Sequence, residues 1–384
     1  MIKVGMADLK IGVPAPWDAY DATGKLLIRK GLILQSIHQI EVLVRQGLYL
    51  RDESRRPAIR RVPPAAESAP AHPANAMTLL TRELRTHPQL IRIIREKSGH
   101  SDIQAQYMAS VQNIITAVQR QRDLSLAYLF FNKTTANYPL RHSLDAAIVA
   151  IIIATALDKS PFDIFNVAAA CLTMNISMLR LQEQLIDRAD PLGEDEWRKI
   201  KRHPAASRTL LEQAGISNSD WLDYVLHHHE KNDGSGYPDG LHQADIPEGA
   251  RIVGLADRYT ATISPRTYRP GLLPNVALRE LLLKQSDSLD LVHAGVLTKV
   301  VGIYPPGMFV KLRNGETAVV IASGEDGACP RVKSIIGANN IALPFPVTRD
   351  TREGSLRITA AVRLEPDQVP FGMAKIWGEA SQAD

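Results

Sequence analysis

The succession of helix-period stretches between residues 78 and 285 limits this chain more than any other feature. Apolar residues recur at helical spacing over 78–96, 101–121, 124–132, 142–157, 161–181, 194–213, 220–229 and 275–284, and strand-like alternation is scarce between them. Such a run can bury its stripes only by packing helix on helix, so a mainly α bundle is predicted. Phe, Trp and Tyr make up 5% of the residues, so the core is expected to be aliphatic. The most apolar run, 144–157, is 14 residues long and contains Asp145 and Thr155. A membrane helix needs about 20, so this run is predicted to lie inside the bundle and no membrane span is expected.

The flanks read differently. Residues 1–51 alternate short apolar runs with turn signals such as Asp21-Ala-Thr-Gly24, with a helix predicted over 36–46 and a returning strand at Leu48-Tyr-Leu50. This is a small α+β module. Residues 52–77 carry Pro57, Pro63, Pro64, Pro70 and Pro73 among Ala, Ser and Arg, and are predicted to be a linker. The helical domain is assigned to 78–285. The remainder, 286–384, is predicted to be a short β-containing extension, because Asn314-Gly315 separates two apolar runs and 356–364 alternates.

Composition removes several function classes. The formal net charge is +4 over 384 residues, which gives no electrostatic footprint for DNA. The two cysteines, Cys171 and Cys329, support neither a disulfide framework nor a CxxC zinc site, and suit a reducing cytoplasm. No apolar export signal opens the chain. Chemistry is instead signalled by His227-His-His229, which end a helix and lead into Glu230-Lys-Asn-Asp-Gly-Ser-Gly-Tyr-Pro238, a sharply turning loop. Clustered imidazoles opening a glycine-rich loop favour a metal or phosphate site.

These residues carry a family resemblance. The segment 228–241, HHEKNDGSGYPDGL, resembles the HHExxDGxGYPxGL signature of HD-GYP domains, helical metal-dependent phosphodiesterases of the bacterial second messenger cyclic di-GMP. Glu196-Trp-Arg-Lys-Ile-Lys-Arg-His-Pro204 resembles EEWxxIKxHP, 246–252 resembles IPxxARI, and Ala256-Asp257 with Ser264-Pro-Arg-Thr-Tyr-Arg269 resembles the AD…SxRxYR stretch. The match spans about residues 125–285. It implies metal ligands at His142, His203, His228, His229 and Asp257, with iron, manganese or zinc as the suited ions. It also implies phosphate contacts from Arg266 and Arg269, and a pocket or partner loop of Asp233, Gly234, Gly236, Tyr237 and Pro238. Shorter likenesses at Gly24–Gly31 and Gly302–Gly307 extend into both flanks.

At one place the pattern fails. Where the family has LLHDIGKL, this chain has Leu172-Thr-Met-Asn-Ile-Ser-Met-Leu179, so Met174 and Asn175 stand for the His-Asp pair and Met178 for the lysine. Tyr138 replaces the carboxylate that three-metal members place before His142. A bridging anion and a cation are therefore missing, and an incomplete or mononuclear site is expected.

Three functions remain open. The first is a degenerate member that binds or responds to cyclic di-GMP with little or no hydrolysis, so that its catalytic residues are unknown. The second is a weak phosphodiesterase with one metal. The third is a scaffold docking a diguanylate cyclase or another partner through Tyr237. The resemblance places the chain in cytoplasmic signal transduction, with motility or biofilm formation as the process controlled. On residue chemistry alone, His227 caps its helix or faces solvent, and His242 lies at the surface. Met174 and Met178 are core. Asp233 and Gly236 serve the turn, Gly236 through a positive φ, and Glu230 caps or orients a histidine.

Overall fold

The structure is a computed structural model that describes residues 75–96, 102–131, 138–284, 290–324, 329–364 and 368–378, with short segments between residues 2 and 50. The chain divides into two units, Met1–Ala71 and His72–Asp384. In the first, β1 (Ile2–Val4), β2 (Ala19–Tyr20), β3 (Leu26–Ile28) and β4 (Leu48–Leu50) form an antiparallel sheet of order β1-β4-β2-β3, with Ala19 and Ile28 fully buried. Of the helix predicted over 36–46, Leu43 and Val44 are described and are helical. Most of the predicted linker lies outside the described residues, and its last two positions belong to the first helix.

Twelve helices are present among the described residues. The bundle comprises α1 (Ala76–Glu96), α2 (Ile103–Arg120), α3 (Arg122–Phe131), α4 (Tyr138–Ala156), α5 (Pro161–Thr173), α6 (Leu179–Ile186), α7 (Glu194–Gln213), α8 (Ser219–His227), α9 (Glu248–Ile263), α10 (Pro274–Lys284) and α11 (Leu291–Val301). Side-chain caps start several of them. Asp102 accepts from Ala105 N, Asn218 from Trp221 N, and Ser160 from Asp163 N ahead of Pro161.

Helix α4 is the axis of the bundle and packs on α5 and α9. Its 19 residues are apolar enough to cross a membrane, yet 83% of its most apolar window is buried against the other helices. A helix hydrophobic all round belongs in such a core. Its charges, Arg141 and Asp145, pair with each other inside the core.

Three elements differ from the sequence reading. The stretch 161–181 is two helices, because residues 174–178 leave helical geometry. Ser177 Oγ there donates to the His203 carbonyl (3.0 Å), and Ser177 N donates to Ser207 Oγ (3.3 Å), so bonds to α7 replace bonds along the helix. Helix α9, which carries most of the 246–252 motif and Ala256-Asp257, has no counterpart among the predicted helices. The extension assigned from 286 opens with α11 rather than with a strand. Asp290 caps α11, and Ala294, Leu297 and Val301 join the bundle core.

Beyond it lies an antiparallel sheet of β5 (Phe309–Leu312), β6 (Thr317–Ala322), β7 (Arg331–Ile336), β8 (Ala342–Asp350) and β9 (Ile358–Val362), in the order β8-β7-β6-β5-β9. The Asn-Gly hairpin forms as predicted: Gly315 takes φ +85°, and Phe309 faces Val319. A short closing helix, α12 (Met373–Trp377), buries Ile376 against Val319 and Ile335.

Candidate functional site

The site is assembled from several helices. His203 comes from the middle of α7, His228 and His229 from the residues just past α8, His142 from α4 and Asp257 from α9. His203, His228 and His229 each offer a ring nitrogen, and these atoms lie within 4.8 Å of one another.

Hydrogen bonds fix how two of these rings present themselves. His203 Nδ1 donates to the Ile200 carbonyl at 2.6 Å and His228 Nδ1 to the Val225 carbonyl at 2.8 Å. That leaves the two Nε2 lone pairs pointing at one another across 3.2 Å. Two bare lone pairs at that distance repel. The same separation suits two nitrogens on one cation with metal–nitrogen bonds of about 2.0–2.1 Å.

Burial keeps the rings neutral. It lowers His203 to about 3, helped by the charge of His228, and it also lowers His228 and, strongly, His229. Asp257 is buried too, which raises its pKa, but the hydrogen bond from His142 and the nearby histidines outweigh that and hold it well below the usual carboxylate range.

The five residues predicted as one ligand set divide into three and two. His142 Nε2 binds Asp257 Oδ1 at 2.7 Å, and His142 stacks on Tyr138 with ring centroids 5.5 Å apart. The charge of Asp257 acts on His203, His228 and His229, so the pair borders the triad. Burial pushes the Tyr138 phenol up to about 12, so it stays neutral where a carboxylate would have carried charge.

The turn after α5 carries the substituted positions. Met174 is fully buried in the main core, in line with a packing role, and Met178 is half-buried before α6. Asn175 is 2% exposed and its Oδ1 makes no hydrogen bond. A buried amide oxygen left unpaired is costly, so this atom is a neutral donor in search of a partner. The neutral imidazoles and the facing lone pairs together fit one divalent ion.

The loop after the histidines is braced from within. Glu230, nearly fully buried, accepts from Asp239 N (2.7 Å), Gly240 N (3.2 Å) and Leu241 N (3.0 Å). It organises the loop backbone, rather than orienting a histidine. Asp233 Oδ1 makes the expected Asx-type bond to Ser235 N at 3.0 Å.

Gly234 has φ +75°, whereas Gly236 has no positive φ. Its need for glycine is steric, since a Cβ there would meet Glu230 Cα at 2.5 Å. Tyr237 is half-buried, its ring 4.8 Å from that of His229, and Pro238 follows it exposed. Of the pocket and partner roles expected for this loop, the position of Tyr237 beside His229 is the one a pocket wall would have. His242 is exposed as expected, and His227 pairs with Asp239 at 3.2 Å.

Arg266 and Arg269 sit on one tight turn. Arg266 N donates to Arg269 O (2.8 Å) and Arg269 N to Arg266 O (3.0 Å). Thr267 ties the turn to the end of α6 through Ile186 O and Asp187. Arg266 also donates to Tyr268 Oη at 3.2 Å. Both guanidinium charges act on Tyr138, which places the turn on the His142 side.

Two site residues carried no sequence signal. Arg258, one residue past Asp257, lends its charge to the neighbourhood of His228 and His229. Gly254 lets α9 approach His228 so closely that a Cβ would meet the His228 carbonyl oxygen at 2.3 Å.

Helical bundle, histidine triad and GYP loop define a class. Residues 119–291 match the family model described as an HD domain. HD-domain phosphohydrolases are generally divalent-metal dependent. The chain is 26% identical to the cyclic di-GMP phosphodiesterase PA4108 of Pseudomonas aeruginosa, over 89% of this chain and 86% of that protein. It is 24% identical to the cyclic di-GMP phosphodiesterase PdeB of Borreliella burgdorferi, over 51% of this chain and 52% of that protein. It is 32% identical to the cyclic di-GMP phosphodiesterase response regulator RpfG of Xanthomonas campestris, over 37% of this chain and 38% of that protein. The solved structure of Bd1817, an HDG"Y"P protein from Bdellovibrio bacteriovorus, shares the fold with a TM-score of 0.51 at 12% identity, over 78% of this chain and 99% of that one.

Proposed function

We propose that this protein binds cyclic di-GMP at a single-metal histidine site and hydrolyses it little or not at all. The observation that carries the reading is the convergence of the His203 and His228 lone pairs beside His229, in a chain where Met174 and Asn175 stand for the family's His-Asp pair. Iron, manganese or zinc would be held by the three imidazoles, with Asn175 Oδ1 as a neutral addition. When bound, such an ion polarises a phosphoryl oxygen and acidifies water.

The rest is supplied by the chain. Arg266 and Arg269 clamp phosphate with planar forks. Tyr237 closes over His229 and shields that side from bulk water. The absent carboxylate leaves no anion to bridge a second ion, and the methionine at 178 leaves no cation by the leaving group. Both losses fall on the transition state rather than on binding.

One observation favours a residual phosphodiesterase as the second reading. The His142–Asp257 pair is an imidazole oriented by an ionised carboxylate, the arrangement of a general base. Tyr237 beside His229 lends no support to the third reading, docking of a partner. The test is metal content of the purified protein, followed by incubation with cyclic di-GMP. Binding without linear product, lost in Arg266→Ala, fits the proposal; linear product that disappears in His203→Ala establishes the second reading.

A further inference from the structure

The arginine turn has a second face. Pro265 and Pro270, the residues immediately before and after it, line a cleft of about 430 Å³ between the bundle and the C-terminal sheet. The other walls are Phe130 of α3, Phe309 of β5, Val362 at the end of β9, and Phe371 ahead of α12. Its lining is mostly aromatic and aliphatic, with Arg363 among the lining residues, and its size is typical of small-molecule pockets.

It is also pre-formed. Gly307 packs so tightly on α3 that a Cβ would meet Ala127 Cα at 2.8 Å, and Ser323 Oγ donates to Asp123 Oδ1 at 2.9 Å, so the sheet is seated on the bundle. Arg363, just past β9, donates to the carbonyl of Gly271, one residue beyond the turn's closing proline. Gly271 is itself pressed on α9, where a Cβ would meet the Ile263 oxygen at 2.0 Å. The sheet therefore holds the segment that carries Arg266 and Arg269.

We infer that this cleft is a nucleobase subsite, taking one guanine of a cyclic dinucleotide whose phosphate rests on Arg266 and Arg269. The inference rests on the function proposed above and adds the C-terminal sheet to the ligand site. A cyclic dinucleotide presents planar heterocycles a few bonds from its phosphates. Aromatic walls stack on such a base, while the guanidinium pair on the same turn meets the anion. A purely aliphatic ligand would leave the arginines without a partner, and inorganic phosphate would leave the cleft unfilled.

The test is isothermal titration of the full chain with cyclic di-GMP and, separately, with inorganic pyrophosphate, which can engage only the cations. Val362→Trp fills the cleft from the sheet edge. It is expected to weaken cyclic di-GMP about tenfold, the order of one lost base stack, and to leave pyrophosphate binding unchanged. Should Val362→Trp not fold, Phe371→Trp keeps the wall aromatic, and its emission is expected to be quenched by cyclic di-GMP and not by pyrophosphate. Wild-type affinity in folded Val362→Trp, or no quenching in Phe371→Trp, overturns the cleft assignment. If Arg266→Ala loses the nucleotide in that case, the function proposed above stands alone. If the wild-type protein binds no cyclic di-GMP, that function fails and the cleft assignment falls with it.

Discussion

Helices α7 and α8 deliver His203 and His228 with their Nδ1 protons tied to backbone carbonyls, so the lone pairs converge by construction. The turn after α5 is joined to the same α7 through Ser177, yet it delivers a buried thioether, an amide oxygen with no hydrogen bond, and a second thioether. One side brings three imidazoles together, and the other carries no charged side chain at Met174, Asn175 and Met178. The difference separates two requirements that a metal-dependent phosphodiesterase joins. Holding an ion needs neutral donors aimed at one point; driving hydrolysis needs, in addition, anions that bridge ions and a cation that receives the leaving oxygen.

Removing the nitrogen side should have the largest effect. His228→Ala is expected to abolish bound metal, measured as metal per chain by plasma mass spectrometry, and His203→Ala to do the same. Restoring charge to the other side comes next. Asn175→Asp is expected to raise metal affinity by about 10–100-fold and to bring linear product above the wild-type level; an unchanged affinity would show that position 175 does not face the ion.

Acid sensitivity is built into the bundle as well as its site. Burial lowers His87, in α1, to about 4 from 6.5. The unfolded chain therefore binds more protons than the native one between those values, and stability falls as pH drops from 6.5 toward 4. His87→Phe should remove roughly 3 kcal/mol of that loss, measured by urea unfolding at pH 7 and pH 4 on metal-free protein. An identical pH slope in both proteins would refute the assignment.

Smaller effects come from the backbone supports. Gly254→Ala pushes a methyl into the His228 carbonyl and should cost about 1–3 kcal/mol, with metal affinity falling alongside melting temperature. Glu230→Gln weakens three backbone hydrogen bonds of the loop and should cost about 1–2 kcal/mol. Its effect should appear in proteolysis of 231–241 before it appears in metal content.

What the sequence disclosed follows from the range of the interactions. The histidine run, the Gly-rich loop and the arginine turn are local, so their spacing was readable. The Met174–Asn175 substitution was visible as a break in a motif. The pairing of His142 with Asp257 spans 115 positions, and no spacing rule reports a contact between side chains on different helices. Glu230 and Gly236 were assigned by residue habit, whereas the loop uses Glu230 as an acceptor of three amides and Gly236 as a gap against Glu230. Helix α11 was read as part of a β extension, because the burial of Ala294, Leu297, Val300 and Val301 is meaningful only once the bundle is there to receive them.

The central claim is that the nitrogen side of the site binds and the altered turn does not hydrolyse. The most direct measurement incubates metal-loaded protein with an equal amount of cyclic di-GMP and follows both bound nucleotide and linear product in the same sample. The account predicts nucleotide retained intact on the protein through many hours. Complete conversion to linear product within minutes would contradict it.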